Sequence, residues 1–192
     1  MGEDVHVLDS EILSNDRYLL RKTVFRHQRN DGSWQTLTRE TYDRGNGAAI
    51  LLYDRERRTV LLTRQFRYPA YINGHGERLI EVVAGMLDEN GPEEAIRREV
   101  EEEAGYRIGQ PRRLFDAFMS PGAVTERLTF FMAPYRESDR ISAGGGLPGE
   151  GEDIEVLEMS LDDALAMTTD GRIVDAKTII LLLHAKLYGL DE

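Results

Sequence analysis

Four glutamates lie within five consecutive positions, Glu99 to Glu103, after residues that have the pattern of an amphipathic helix. Like charges four residues apart on a helix repel each other by a few tenths of a kcal/mol, so this crowding indicates a bound cation. At about 100° per residue, Glu103 projects between Ile96 and Val100, which belong to the apolar stripe expected to face the core. Glu99 lies one turn earlier on the same side. The sequence therefore predicts one carboxylate that points inward and a second that flanks it.

A divalent metal ion is the ligand that this arrangement favours. A buried carboxylate without a partner is unfavourable by several kcal/mol, so Glu103 must be protonated, paired with a cationic side chain or bound to a metal. Oxygen-only ligands at this spacing suit Mg²⁺, with Mn²⁺ as a second choice. A solvated acidic face is the ordinary alternative for a glutamate-rich helix. The inward projection of Glu103 and the glycine stop at Gly105 favour the metal site.

The chain has 192 residues, of which 41% are hydrophobic and 31% charged. This length and composition predict one globular domain, or one domain with an appendage. The longest apolar run is too short to span a membrane, no secretory signal is visible, and cysteine is absent, which together favour the cytoplasm. The net charge of −11 disfavours nucleic acid as a partner. It would also repel a phosphorylated substrate unless divalent cations lie between the two.

The first 45 residues predict a β extension that precedes a main domain at residues 46–192. Residues 1–16 are expected to lack regular structure, and the segments 18–28 and 34–42 are predicted to form two strands joined by the turn Asn30-Asp31-Gly32. A lone hairpin is marginally stable in water, so we expect it to pack against another surface. A second copy of the chain is one candidate.

The main domain alternates strand and helix patterns. Strands are predicted at residues 48–53, 59–66, 78–83, 113–117, 128–133 and 154–159, and helices at 93–104, 161–167 and 178–188. Gly105 is the expected C-cap of the acidic helix, and Ser160 is the expected N-cap of the next helix. This order of elements predicts an α/β or α+β sandwich.

Residues 85–106 resemble the Nudix box. The segment Arg98-Glu99-Val100-Glu101-Glu102-Glu103-Ala104-Gly105-Tyr106 matches every specified position of its C-terminal half. The box is one residue shorter than usual, and Asn90 or Gly91 stands where the family has a glutamate that braces the box arginine, here Arg98. Asp88, Glu89 and Glu94 are the candidates to replace it. The resemblance implies a Nudix-type α/β/α sandwich of mixed sheet with an N-terminal antiparallel β-hairpin extension.

More of the chain is similar to one branch of the family, the GDP-mannose pyrophosphatases and related ADP-sugar pyrophosphatases. The shortened box is also found in the GDP-mannose pyrophosphatases. The segments that carry this similarity are 42–47, 64–67, 120–122, 124–126, 143–146 and 152–156. The resemblance extends over nearly the whole chain, from about Ile12 to the last helix.

The resemblance also implies a set of site residues. The implied metal ligands are Glu99, Glu103, Glu152 and the backbone carbonyl of Ala84, and the implied catalytic residues are Arg98, Glu102 and Glu152. The implied substrate contacts are Tyr18, Thr38, Arg39, Glu40, Arg67, Gly85, Met86, Glu126, Gly151 and Lys177. The branch usually has lysine where Thr38 stands. Taken one at a time, Arg67, Glu126 and Lys177 have an ordinary alternative as surface charges.

The implied activity is Mg²⁺-dependent hydrolysis of the diphosphate bond of a nucleoside diphosphate sugar by a cytoplasmic homodimer. GDP-mannose, cleaved to GMP and mannose 1-phosphate, is the first choice of substrate. ADP-ribose or another ADP-sugar is the alternative. A third hypothesis is a non-catalytic sensor of nucleotide sugars, against which the intact Arg98, Glu99, Glu102 and Glu103 argue.

Overall fold

The structure, a computed structural model, describes residues 4–190, without the side chain of Glu150. The chain forms two compact units. One comprises residues 4–46 together with Phe118–Arg127, and the other comprises Gly47–Ala117 together with residues 128–190. Among the described residues, no helix is both long and apolar enough to cross a bilayer.

The N-terminal unit is an antiparallel sheet of three strands, β1 (Val5–Asn15), β2 (Leu19–Gln28) and β3 (Trp34–Asp43), in that order. The predicted hairpin of β2 and β3 is confirmed, and Gly32 adopts the positive φ of 81° that its turn requires. The expectation that residues 1–16 lack regular structure is wrong, since β1 occupies most of them; residues 1–3 lie outside the described part of the chain. Two register shifts in the β1–β2 pairing interrupt the alternation of β1 and hide its strand pattern from the sequence.

This sheet exposes much of its apolar surface. Within residues 4–46 and 118–127, no side chain is fully buried. On β1, Val7, Leu8 and Ile12 are 58%, 56% and 53% exposed. A small sheet depends on a hydrophobic face for its stability, and on β1 that apolar surface is exposed.

The main unit is built on a mixed sheet of seven strands. Its strands are β4 (Gly47–Asp54), β5 (Thr59–Gln65), β6 (Leu79–Glu81), β7 (Val83–Met86), β8 (Arg112–Phe118), β9 (Arg127–Pro134) and β10 (Glu155–Ser160). The order is β10-β5-β4-β9-β8, with β6 paired to β5 and β7 paired to β4. The central pair, β4 and β9, is parallel, whereas β10, β6 and β7 are antiparallel to their partners.

Four helices accompany this sheet. They are α1 (Tyr68–Ile72), α2 (Pro92–Glu99), α3 (Leu161–Thr169) and α4 (Ala176–Tyr188), and a π-helical turn at Val100–Ala104 continues α2. Short 3₁₀ turns occur at Glu137–Asp139 and Pro148–Glu150. The predicted N-cap of α3 is confirmed, because the Ser160 hydroxyl accepts the backbone N–H of Asp163 at 3.0 Å. The sequence did not predict α1.

Helices cover both faces of the sheet. Ile50 and Leu52 on β4 belong to one fully buried cluster with Ile96 and Val100 of the acidic helix. Leu51 is equally buried but points to the opposite face. Helices α3 and α4 pack on the sheet and bury their own apolar residues. The α/β/α sandwich expected from the sequence is therefore confirmed.

Candidate active site

The acidic helix holds its carboxylates in the positions that the sequence predicted. Helix α2 begins at Pro92, which suits the first helical position, and Gly105 ends the π-turn with a left-handed φ of 78°. Ile96, Val100 and Ala104 form the buried stripe, with at most 1% of each residue exposed. This stripe fixes the rotation of the helix, so the neighbouring Glu103 points into the protein.

Glu103 is a buried carboxylate in an acidic environment. It is 2% exposed, and among the described residues no donor reaches its Oε2 atom. Burial, followed by the charges of Glu99 and Glu152, raises the pKa of Glu103 to about 8. A group left in this state requires a proton or a cation, which is the condition expected of a metal ligand.

Glu99 lies directly against the backbone of Gly85. A Cβ atom built on Gly85 would lie 2.1 Å from the carboxyl carbon of Glu99, so only glycine leaves room for this carboxylate. Gly85 follows Ala84 on β7, the strand that runs alongside the acidic helix. The predicted ligands Ala84 and Glu99 are therefore brought to the same place by β7 and α2.

Glu152 reaches the site from a glycine-rich loop. The backbone N–H groups of Gly145 and Gly146 donate to the carbonyls of Glu103 and Glu102, at 2.9 and 3.0 Å. These bonds satisfy carbonyls that the end of a helix leaves without partners, and they anchor the first half of the loop. The Glu152 Oε2 atom accepts the N–H of Leu147 at 2.8 Å. The predicted contact Gly151 lies just before Glu152, exposed and with a φ of 79°.

Arg98 is braced by Asp88, one of the three residues that the sequence offered for this role. The Arg98 guanidinium donates to the Asp88 carboxylate, and this bond holds the pKa of Asp88 below its usual range. Glu94 instead lies 3.6 Å from Arg97. Arg98 also lies 3.9 Å from both Glu99 and Glu102, so it orders two of the box carboxylates at once.

A further acidic group, Glu81, was not predicted from the sequence. Its side chain is only 4% exposed and lies at the end of β6. Arg67 and Lys177, both predicted substrate contacts, each donate to it. No sequence signal pointed to Glu81, because its partners are 14 and 96 residues away in the chain. Met86, another predicted contact, is exposed at the end of β7.

The remaining predicted contacts lie in the N-terminal unit. Thr38, Arg39 and Glu40 are exposed on β3, with their register set by pairing to β2. Tyr18 and Glu126 share Arg44 as a neighbour: the guanidinium lies 5.8 Å from the Tyr18 ring centroid and 3.4 Å from the Glu126 carboxylate. Arg44 had not been assigned a role from the sequence.

The donor set of the main unit fits a divalent metal ion. Among the described residues, no group of three or more acidic or histidine side chains is arranged to hold a metal ion by itself. However, the Glu103 carboxylate has an oxygen without a donor, and its pKa is raised first by burial and then by the charges of Glu99 and Glu152, the other two predicted ligands. Oxygen donors with an excess of negative charge are those that Mg²⁺ and Mn²⁺ prefer.

The fold and this acidic site define a class of metal-dependent hydrolase, and comparison with known proteins identifies the family. A model of the NUDIX domain matches residues 43–182, and a model described as the GDP-mannose pyrophosphatase NudK N-terminal domain matches residues 4–42. The chain belongs to the Nudix hydrolase family.

Several known proteins are similar to this chain over nearly its full length. A GDP-mannose pyrophosphatase of Pectobacterium atrosepticum is 52% identical over 190 residues, which cover 98% of this chain and 97% of the relative. A GDP-mannose pyrophosphatase of Klebsiella pneumoniae is 47% identical over 191 residues, with 99% and 96% covered. One of Escherichia coli is 45% identical over 193 residues, with 100% of both chains covered.

Proposed function

We propose that this Nudix enzyme hydrolyses the diphosphate bond of GDP-mannose with Mg²⁺ as cofactor, giving GMP and mannose 1-phosphate. The observation that carries the proposal is the buried carboxylate of Glu103, which has an oxygen without a donor and whose pKa is raised by burial and then by the charges of Glu99 and Glu152. The names of the three similar proteins support the choice of base and sugar.

The chain's own residues are assigned as follows. Glu99, Glu103, Glu152 and the Ala84 carbonyl would hold the metal, which would supply charge neutralisation at the diphosphate and a lower pKa for bound water. Glu152 accepts a proton from the attacking water. Arg98 orders Glu99 and Glu102, and Arg67 and Lys177 bind the diphosphate, for which the planar fork of arginine is well suited.

The test is a panel of nucleotide sugars incubated with Mg²⁺, with products identified by mass. We expect GMP and mannose 1-phosphate from GDP-mannose, and no cleavage when EDTA is added. If ADP-ribose were cleaved faster than GDP-mannose, ADP-ribose would be the preferred substrate. Binding of nucleotide sugars without any cleavage would instead indicate a sensor.

We further propose that residues 1–45 form a dimerisation extension and that residues 46–192 form the catalytic domain. The exposed apolar side chains of β1 support this, since a second copy would cover them. Four residues of this extension would then contact the nucleotide across the dimer, namely Tyr18, Thr38, Arg39 and Glu40, and Glu126 is proposed as a further substrate contact. The negative net charge disfavours nucleic acid as a partner, and the absence of cysteine supports a cytoplasmic location.

The dimer is tested by the mass of the protein in solution. We expect about twice the chain mass of 21.8 kDa, and we expect Ile12→Asp to shift the population toward the monomer, because it places a charge in the apolar surface to be covered. Asp9→Asn, on the same strand, is the control and is expected to leave the mass unchanged. A parent protein that stays monomeric at all concentrations would contradict the proposal.

A further inference from the structure

Glu81 joins two cationic side chains through its two carboxylate oxygens. The Arg67 Nε donates to Oε2 at 2.7 Å, and the Lys177 Nζ donates to Oε1. The two cations come from distant parts of the chain, one from the turn between β5 and α1 and the other from the first turn of α4. Glu81 therefore fixes their separation.

The start of α4 is held rigidly beside Glu81. Lys177 also donates to Asp175, at 2.9 Å, and Asp175 caps the helix by accepting the N–H of Thr178 at 3.0 Å. The Thr178 hydroxyl in turn accepts the N–H of Val82, the residue after Glu81, at 2.8 Å. Lys177 is thus tied to the sheet through both its side chain and its helix.

Stability alone does not account for this arrangement. Removing charges from water is unfavourable, and buried ion pairs are often no more stabilising than apolar residues of the same size. Burial on its own would lower the pKa of Arg67 and of Lys177, but the neighbouring carboxylates, of which Glu81 has the largest effect on each, outweigh it and the pKa of both groups is raised. Both side chains therefore stay charged at neutral pH, and 41% of the Arg67 side chain is exposed and accessible to a ligand.

We propose that Glu81 is a positioning residue that holds Arg67 and Lys177 together as a binding pair for the diphosphate of the substrate. This inference rests on the proposed function, in which the two cations contact that diphosphate. Glu81 itself does not touch the substrate in this scheme. Its effect passes through the orientation of Arg67 and Lys177.

The test measures kcat and KM for Glu81→Gln in the parent protein and in the Arg67→Ala background. Glutamine keeps the shape but replaces one acceptor oxygen with a donor, so one cation loses its partner. We expect this substitution to lower kcat/KM by about 10- to 100-fold in the parent, mainly by raising KM. Losses of this size are typical when a residue that hydrogen-bonds to a site residue is removed. In the Arg67→Ala background, the same change should have a much smaller effect.

Two further variants separate this role from a structural one. Glu158→Gln breaks a partly exposed ion pair with Arg57 on the same sheet and is expected to leave kcat and KM within about 2-fold of the parent values. Glu81→Asp keeps the negative charge but has a shorter side chain. This variant replaces Glu81→Gln in the test if Glu81→Gln does not fold. Thermal unfolding of each variant without ligand shows which of them are folded.

Binding of inorganic pyrophosphate in the presence of Mg²⁺, measured by calorimetry, tests the inference without turnover. We expect Glu81→Gln to weaken it about 10-fold or more. A parent protein that cleaves no nucleotide sugar, but whose pyrophosphate binding depends on Glu81, would refute the proposed function and leave the positioning role standing. Equal losses in the parent and Arg67→Ala backgrounds, or parental values in Glu81→Gln, would overturn the positioning role itself.

Discussion

Glu103→Gln is expected to reduce turnover of the nucleotide sugar with Mg²⁺ by at least about 100-fold while the chain stays folded. This is more than the loss of a residue that hydrogen-bonds to a metal ligand usually causes. Glutamine has the same shape but no charge, and Glu103 is buried next to carboxylates that require a cation. Removing its charge weakens the hold on the metal without opening a cavity. The loss is measured as kcat at saturating substrate and Mg²⁺.

The matched control for this substitution is Glu101→Gln. Glu101 lies in the same run of acids, but it points outward and pairs with Arg107 at 2.9 Å. We expect turnover close to the parent value, because an exposed ion pair contributes at most about 1 kcal/mol to stability. If Glu103→Gln turned over normally with Mg²⁺, the assignment of Glu103 as a ligand would be wrong.

The acidic helix could be predicted because the residues that determine its orientation are close to one another in the sequence. The buried stripe of Ile96, Val100 and Ala104 recurs at helical spacing, so the rotation of the helix and the inward direction of Glu103 follow from neighbouring residues. The π-turn at Val100–Ala104 was not predicted, because a helical wheel assumes the same rotation for every residue.

The features that were missed depend on distant residues. Glu81 looks like an ordinary acid at the end of a short strand until folding brings Arg67 and Lys177 to it. The sequence offered three acidic residues that could pair with Arg98, and only the folded geometry shows that Asp88 is the one that does. Lys177 has an ordinary reading as a surface charge, whereas its side chain is only 13% exposed, because α4 packs its first turn against the sheet.

In the absence of metal, raising the pH from 5 to 8 is expected to lower the free energy of unfolding. The pKa of Glu103 is raised to about 8 in the folded protein, mainly by burial, against a usual value of 4.5. Between these values the unfolded chain releases the proton that the folded protein retains, so this group's contribution to stability is complete below pH 4.5 and is lost as the pH approaches 8. The loss amounts to up to about 1.4 kcal/mol per pH unit for one group.

The measurement is urea unfolding in EDTA at several pH values, with Glu103→Gln as the reference. The difference between the parent and the variant isolates Glu103 together with its coupling to Glu99 and Glu152, because more distant groups contribute equally to both. His184, whose pKa is lowered by burial from its usual value of 6.5, acts in the opposite direction below that pH. Asp54, whose pKa is lowered by its bonds to Arg57, changes stability only in more acidic solution. A difference that stays constant from pH 5 to 8 would contradict the environment described for Glu103.

Adding Mg²⁺ should reverse this pH dependence. A metal ligand must be deprotonated to bind, so affinity rises as the pH approaches the pKa of the ligand. Binding to the folded state alone raises the free energy of unfolding by an amount that grows with the logarithm of that affinity. The Mg²⁺-dependent gain is therefore expected to be larger at pH 8 than at pH 5 in the parent and to be largely lost in Glu103→Gln. An equal gain in both proteins would show that the ion binds elsewhere, and the burial of Glu103 would then need another explanation.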